Sequence, residues 1–238
     1  MSLAELEARI AAMDWTAAAA ALDRDGHAVL PRLLSPEGCR EAAAMFAEEA
    51  RFRRRIVMER HGYGQGVYQY FAAPLPDTVA ALREALYRPL AAVANGWAER
   101  LGRAVRFPDT HAAYIARCHA AGQTRPTPLM LRYGPGDYNC LHQDLYGEEV
   151  FPIQAVVLLS RPGTDFTGGE FALVEQRPRR QSKVEILPLA EGDAALFAVR
   201  DRPARGARGW YTAQMRHGVS PVRSGERTTL GIIFHDAA

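Results

Sequence analysis

His142 and Asp144 stand one residue apart near the middle of the chain. On an extended backbone side chains two apart leave the same face, so both project to one side while Gln143 projects to the other. An imidazole and a carboxylate then converge on a single point. A metal held there needs a third ligand, and His217 offers one further along the chain. Two histidines and a carboxylate on one face suit a non-haem ferrous ion and leave three positions open for a co-substrate and dioxygen.

With seven histidines in 238 residues, an HxD followed somewhere by a His is a weak signal alone. Its neighbours sharpen it. Tyr133-Gly134-Pro135-Gly136 leads into the HxD, and Phe166-Thr167-Gly168-Gly169-Glu170-Phe171 lies between the ligand groups. His217 opens a stretch that runs through Val219, Pro221-Val222 and Gly225 to Arg227. A 2-oxo acid that chelates iron through its oxo group and adjacent carboxylate leaves a distal carboxylate to be fixed. A planar guanidinium grips such a group bidentately. Arg227 is placed for that role, with Tyr133 as a hydroxyl donor to the same ligand; Arg223, beside the Ser224-Gly225 turn, is expected to be solvated. A zinc-type hydrolase built on the same ligands would also need a general base, which nothing obvious supplies.

These motifs resemble those of the Fe(II)/2-oxoglutarate-dependent dioxygenases. From about Pro126, the YGxG lead, the HxD, the GGE and the HxVxPVxxGxR resemble the prolyl-4-hydroxylase-like branch. The segment Arg132 to Asp144 is also similar to the AlkB-type nucleic-acid demethylases, and the whole chain resembles a prokaryotic group associated with oxidative repair of damaged DNA. AlkB-type proteins place their co-substrate arginines farther from the distal histidine, and many prolyl hydroxylases use Lys where this chain has Arg227. The resemblance implies Fe(II) held by His142, Asp144 and His217, with 2-oxoglutarate and O2 as co-substrates. Hydroxylation of a substrate C–H bond would yield succinate and CO2, and on an N-methyl group the product would lose formaldehyde. The implied partners are alkylated DNA or RNA, or a protein substrate hydroxylated in the prolyl manner. A non-catalytic binding module on the same fold is the third reading.

The elements that must position these residues follow from periodicity and punctuation. Residues 3 to 12 and Trp15 to Leu22 have helical patterns, the second capped by Asp14. His27 to Leu30 reads as a short strand, and Ser35-Pro36 as the start of a third helix. Arg51 to Arg55 reads as closing or following that helix in a capping or solvated role, since cations are favoured near its end, or alternatively as a phosphate-binding cluster. His61 to Phe71, with three Gly and four aromatics, suits a mobile loop entering a strand, or equally a twisted hairpin whose aromatics fill the core. Tyr68 and Tyr70 from it, with Arg132, are candidate substrate contacts. Val79 to Leu101 is amphipathic, and Pro89 is expected to break it in two. His111 and His119 flank another helical run as ordinary polar groups. Beyond Pro126 come short strands at Leu129 to Tyr133, Ile153 to Ser160, Glu170 to Glu175, Val184 to Leu187, Ala194 to Val199 and Thr228 to His235, with a Gly/Arg-rich loop at Arg200 to Gly209. The expected fold is α+β with a mainly β core, a double-stranded β-helix (jelly roll) with N-terminal helices on its outer face. It would be a single domain, 1–238, divided into a helical support and lid region (1–125) and a catalytic core (126–238).

The bulk composition fits a globular protein: 48% hydrophobic, 24% charged, with no apolar run long enough for a membrane span. The acidic, amphipathic N-terminus lacks the basic start and apolar core of a signal peptide, which predicts a cytoplasmic protein without membrane contact. Cys39, Cys118 and Cys140 are odd in number and lack metal spacing, so buried thiols are expected. Net charge is +2, yet Lys183 is the single lysine among 29 basic residues. Such a bias reflects base composition as much as partners, and Arg richness by itself argues little for nucleic acid.

Overall fold

Each N-terminal helix starts where a side chain closes its free amides. In the computed structural model, which describes residues 2–207 and 209–238, α1 (Leu3–Ala11) opens with a reciprocal Ser2/Glu5 capping box. Asp14 caps α2 (Trp15–Asp25), which ends at Gly26 in the left-handed conformation. Ser35 caps α3 (Pro36–Ala44), with Pro36 in the first turn. Then come α4 (Asp77–Arg100) and α5 (His111–Ala120), the latter capped by Thr110.

Pro89 does not divide α4, against the sequence expectation. The proline forfeits one backbone hydrogen bond, but Leu82, Leu86, Tyr87, Leu90, Ala91 and Ala94 are buried on both sides of it. Tertiary burial of that stripe outweighs the local loss.

The strands in chain order are β1 (His27–Leu30), β2 (Phe52–Val57), β3 (Gly64–Gln65), β4 (Val67–Phe71), β5 (Leu129–Tyr133), β6 (Tyr138–His142), β7 (Ile153–Leu158) and β8 (Phe166–Gly168). They continue with β9 (Phe171–Gln176), β10 (Lys183–Leu187), β11 (Ala194–Ala198), β12 (Asp201–Gly206), β13 (Gly209–Val219), β14 (Val222–Gly225) and β15 (Arg227–Ile232). A seven-stranded sheet has the order β1-β11-β7-β15-β5-β4-β2, and a second has β10-β9-β13-β6-β3 with β12 beside β13. All pairings are antiparallel among these. The two sheets enclose the site, and α2, α3 and α4 pack against β11 and β15. This is the expected double-stranded β-helix with helices on one outer face.

Three local expectations are corrected. Arg51 to Arg55 does not simply close α3: Phe52 onward forms the edge strand β2, because Ile56 is buried and the segment finds a partner in β4. Arg200 to Gly209 is mostly the strand β12, which forms a hairpin with β13; Arg208, within that stretch, lies outside the described residues. Cys39 and Cys118 are buried, but Cys140 is exposed. The strands also cross the 125/126 division, since β1 to β4 come from the first 125 residues and join both sheets. One cluster of buried apolar side chains runs from Leu6 to Phe234. Among the described residues no helix is long and apolar enough to cross a membrane.

Candidate active site

Strand pairing brings the two histidines together. β13 lies against β6 with His217 directly opposite His142, and their ring centroids are 4.1 Å apart. Asp144 follows the end of β6, placing Oδ1 3.6 Å from His142 Nε2 and Oδ2 3.3 Å from His217 Nε2. One donor atom from each of His142, Asp144 and His217 lies within 4.8 Å of the others. Gln143 borders the same cavity and is tied back to the neighbouring strand, its Nε2 donating to the Met215 carbonyl at 2.8 Å.

The surroundings set these groups in the states a metal needs. His142 Nδ1 is 2.8 Å from the Cys140 carbonyl, which favours the tautomer that leaves Nε2 as a lone-pair donor. Burial alone would raise the Asp144 carboxyl, but hydrogen bonding to His217 and the pull of the two imidazoles whenever they are protonated outweigh it and hold the group well below the usual carboxylate range. Burial, then the charge of His142, pushes His217 down to about 4. An anionic carboxylate and a neutral imidazole are the protonation states that ligate a cation. Tyr146 donates to Asp144 Oδ1 at 2.7 Å, and Gln154 Nε2 donates to Oδ2 at 2.8 Å.

The triad lines a cavity of about 380 Å³ between the sheets. Arg227, 2% exposed, lines it too, with its guanidinium carbon 5.7 Å from the Tyr133 ring centroid and 5.9 Å from that of Phe166. Among the described residues no carboxylate pairs with Arg227, and its Nε is buried without a partner. Burial pushes its guanidinium down to about 10 and the Tyr133 phenol up to about 12. A buried cation without a counter-ion is costly, and an anionic ligand would relieve that cost. The GGE motif makes room for it: a Cβ on Gly169, whose φ is +61°, would stand 2.8 Å from Arg227 Cδ.

Tyr68 and Tyr70 line the same cavity. Arg132 is not brought there. On β5, Leu129, Leu131 and Tyr133 face the cavity, so Arg132 between them faces out, over the Phe46 ring at 4.2 Å and 3.3 Å from Glu226. Arg223 is exposed, as expected. Gln154 and Tyr146 escaped the sequence reading. Gln154 had a signal, as the lone polar residue in the apolar run of β7; Tyr146 had none beyond its nearness to Asp144.

A sequence model of the Oxygenase-NA family, described as oxygenases catalysing oxidative methylation of damaged DNA, matches residues 66–237. The chain belongs to this family. Two uncharacterised proteins of Mycobacterium tuberculosis, from strains CDC 1551 and H37Rv, are each 50% identical over 197 residues, covering 81% of this chain and 84% of theirs. Among solved structures, a Pseudomonas putida prolyl-4-hydroxylase superposes with a TM-score of 0.56 at 16% identity, covering 91% of this chain and 96% of its own. A 2OG-Fe(II) oxygenase-family oxidoreductase from Burkholderia pseudomallei gives 0.51 at 18% identity, covering 94% and 93%. At such identities the likeness establishes the fold, the double-stranded β-helix of 2OG-Fe(II) oxygenases. The residues of this oxygenase fit the group that fold implies: a two-histidine, one-carboxylate donor set of the kind that holds Fe(II) and leaves room for 2-oxoglutarate and O2, and in the same cavity a buried guanidinium with no ion-paired carboxylate among the described residues.

Proposed function

We propose that the protein is an Fe(II)- and 2-oxoglutarate-dependent dioxygenase that hydroxylates a C–H bond of damaged nucleic acid. The observation that carries the reading is the pairing of the His142, Asp144 and His217 donors with the buried Arg227, whose Nε has no hydrogen-bond partner among the described residues, in one cavity. His142, Asp144 and His217 would hold Fe(II), which when bound supplies the coupling of dioxygen reduction to oxidative decarboxylation of 2-oxoglutarate and substrate oxidation. Arg227 grips the distal carboxylate of 2-oxoglutarate, and the Tyr133 hydroxyl, 3.3 Å from Asn139 Nδ2, is available as a second donor to it. Tyr68, Tyr70, Leu131 and Met58 line the rest of the cavity and exclude water from the reacting centre. The protein contributes position and dryness, and the bound groups contribute the oxidation. The family description supports damaged DNA as the substrate class.

The test is succinate release by the Fe(II)-loaded protein, with and without methylated single-stranded DNA. Stimulation by the methylated strand over its unmodified twin, with formaldehyde formed, is the expected result. Turnover without stimulation would overturn the nucleic-acid assignment and turn the search to peptides. No turnover under any condition would overturn the oxygenase mechanism.

A further inference from the structure

Strand β2 is an open edge: in the seven-stranded sheet it pairs, among the described residues, with β4 alone. It carries Arg53, Arg54 and Arg55, and among the described residues no carboxylate is ion-paired with them or with the exposed Arg125. Residues directly opposite on paired strands share a face. Arg54 pairs with Tyr70 and Ile56 with Tyr68, while Tyr70 and Tyr68 pair with Leu129 and Leu131. These two tyrosines and two leucines line the cavity, so Arg54 continues the cavity face to the sheet's open edge. The register slips between Phe52 and Arg54, and the extra residue, Arg53, swings over the same tyrosine, its guanidinium carbon 4.7 Å from the Tyr70 centroid. Its Nε donates to the Pro126 carbonyl, one residue from Arg125. Burial, and then the neighbouring charges of Arg125 and Arg54 against a partial offset from Tyr70, lower the Arg53 guanidinium.

A continuous run of contacts leads inward from these cations. Tyr70 donates to the Tyr146 hydroxyl at 3.0 Å, and Tyr146 donates to Asp144 at 2.7 Å. The basic edge is therefore two tyrosines from the proposed metal ligand. The cavity, at about 380 Å³, is of the size of a small-ligand pocket. A base inside a duplex is out of reach of such a pocket, whereas one in a single strand is accessible.

Resting on the nucleic-acid reading above, we propose that Arg53, Arg54 and Arg125 form a phosphate-binding rim that holds the backbone of a single nucleic-acid strand while one base enters the cavity beside Tyr70 and Tyr68. Arg55 is outside this rim, because it pairs with Gln69, whose side chain points the other way to the Phe46 carbonyl. That neighbour is a charge-matched control. The competing account of an arginine-bearing edge strand is a guard against edge-to-edge pairing, which needs no ligand.

The experiment is fluorescence anisotropy of labelled single-stranded oligonucleotides, deoxy and ribo versions of one sequence, against anaerobic protein loaded with Fe(II) and 2-oxoglutarate across a salt series. Each phosphate contact on a single strand contributes about 0.7 to the slope of log K against log salt. Arg54→Ala and Arg125→Ala should each flatten the slope by that amount and weaken binding about five-fold at 0.1 M salt. Arg55→Ala should leave both unchanged. Wild-type binding that survives Arg54→Ala and Arg125→Ala, or falls equally with Arg55→Ala, overturns the rim and leaves the function standing. No wild-type binding to either strand overturns the rim together with the nucleic-acid assignment.

Discussion

Both oxygens of the Asp144 carboxylate are engaged before any metal arrives, Oδ1 by Tyr146 and Oδ2 by Gln154. Tyr146→Phe and Gln154→Leu each delete one hydrogen bond, and loss of such an outer partner lowers metal affinity by about 10- to 100-fold. Titration with Co(II), followed by visible absorption, measures the loss; unchanged affinity in both variants would mean that the carboxylate needs no such support. Arg227→Ala removes a charge-assisted pair to the co-substrate, a net interaction of about 1.5–3 kcal/mol. The 2-oxoglutarate concentration for half-maximal succinate release should rise at least about ten-fold, which is what the lower figure is worth. Gly169→Ala should shift it the same way, since its Cβ would displace Arg227 Cδ. A requirement unmoved in Arg227→Ala would remove Arg227 from the co-substrate site.

Between elements, the joint that matters most is made by α4. Its Arg83 donates to the Ile233 carbonyl at 2.8 Å and to Asp236 Oδ1 at 2.7 Å, both beyond the end of β15. The side chains of the pair are each 5% exposed. Removing one partner of a buried pair costs about 3–5 kcal/mol, here toward the lower figure because His119 Nε2 remains 2.9 Å from Asp236 Oδ2. Arg83→Met should therefore lower unfolding free energy by that amount in urea titrations, with Ile233 in the cavity wall disturbed as a consequence. A loss below about 1 kcal/mol, the range of an exposed pair, would show that the joint is not held by charge. The same helix carries Pro89, whose local cost the sequence displayed and whose compensating burial it did not. Likewise the arginines of β2 read as a helix terminus, because strand pairing with β4 is a non-local fact.

At the scale of the whole molecule, acid should unfold this protein through its buried histidines. His111, 2.9 Å from the Phe234 carbonyl, is pushed by burial down to about 4, and burial lowers His235 to about 4 as well. Both folded values lie below the ordinary 6.5, so the unfolded chain takes up protons first as pH falls. Their contribution is intact above about pH 6.5 and is lost progressively toward pH 4, at up to about 3 kcal/mol per histidine. Urea midpoints at pH 7, 5.5 and 4.5 should fall in that order, and His111→Asn should flatten the dependence. A variant that keeps the wild-type slope would assign the acid sensitivity elsewhere.

What the sequence determined by itself was local. The His142/Asp144 spacing, the caps at Asp14 and Ser35, and the glycines of the GGE are properties of a few consecutive residues, and backbone geometry fixes their meaning. Arg132 belongs with them, since its place between Leu131 and Tyr133 already forbade it the cavity face that Tyr133 takes. Only the tertiary structure decided which distant strands would lie side by side. It set His217 opposite His142, carried Gln154 across from the facing sheet to Asp144, and buried Arg227 in the cavity wall with no carboxylate ion-paired to it among the described residues. Register and burial are set by packing over the whole core, and one residue of slip would turn every one of those side chains to the other face.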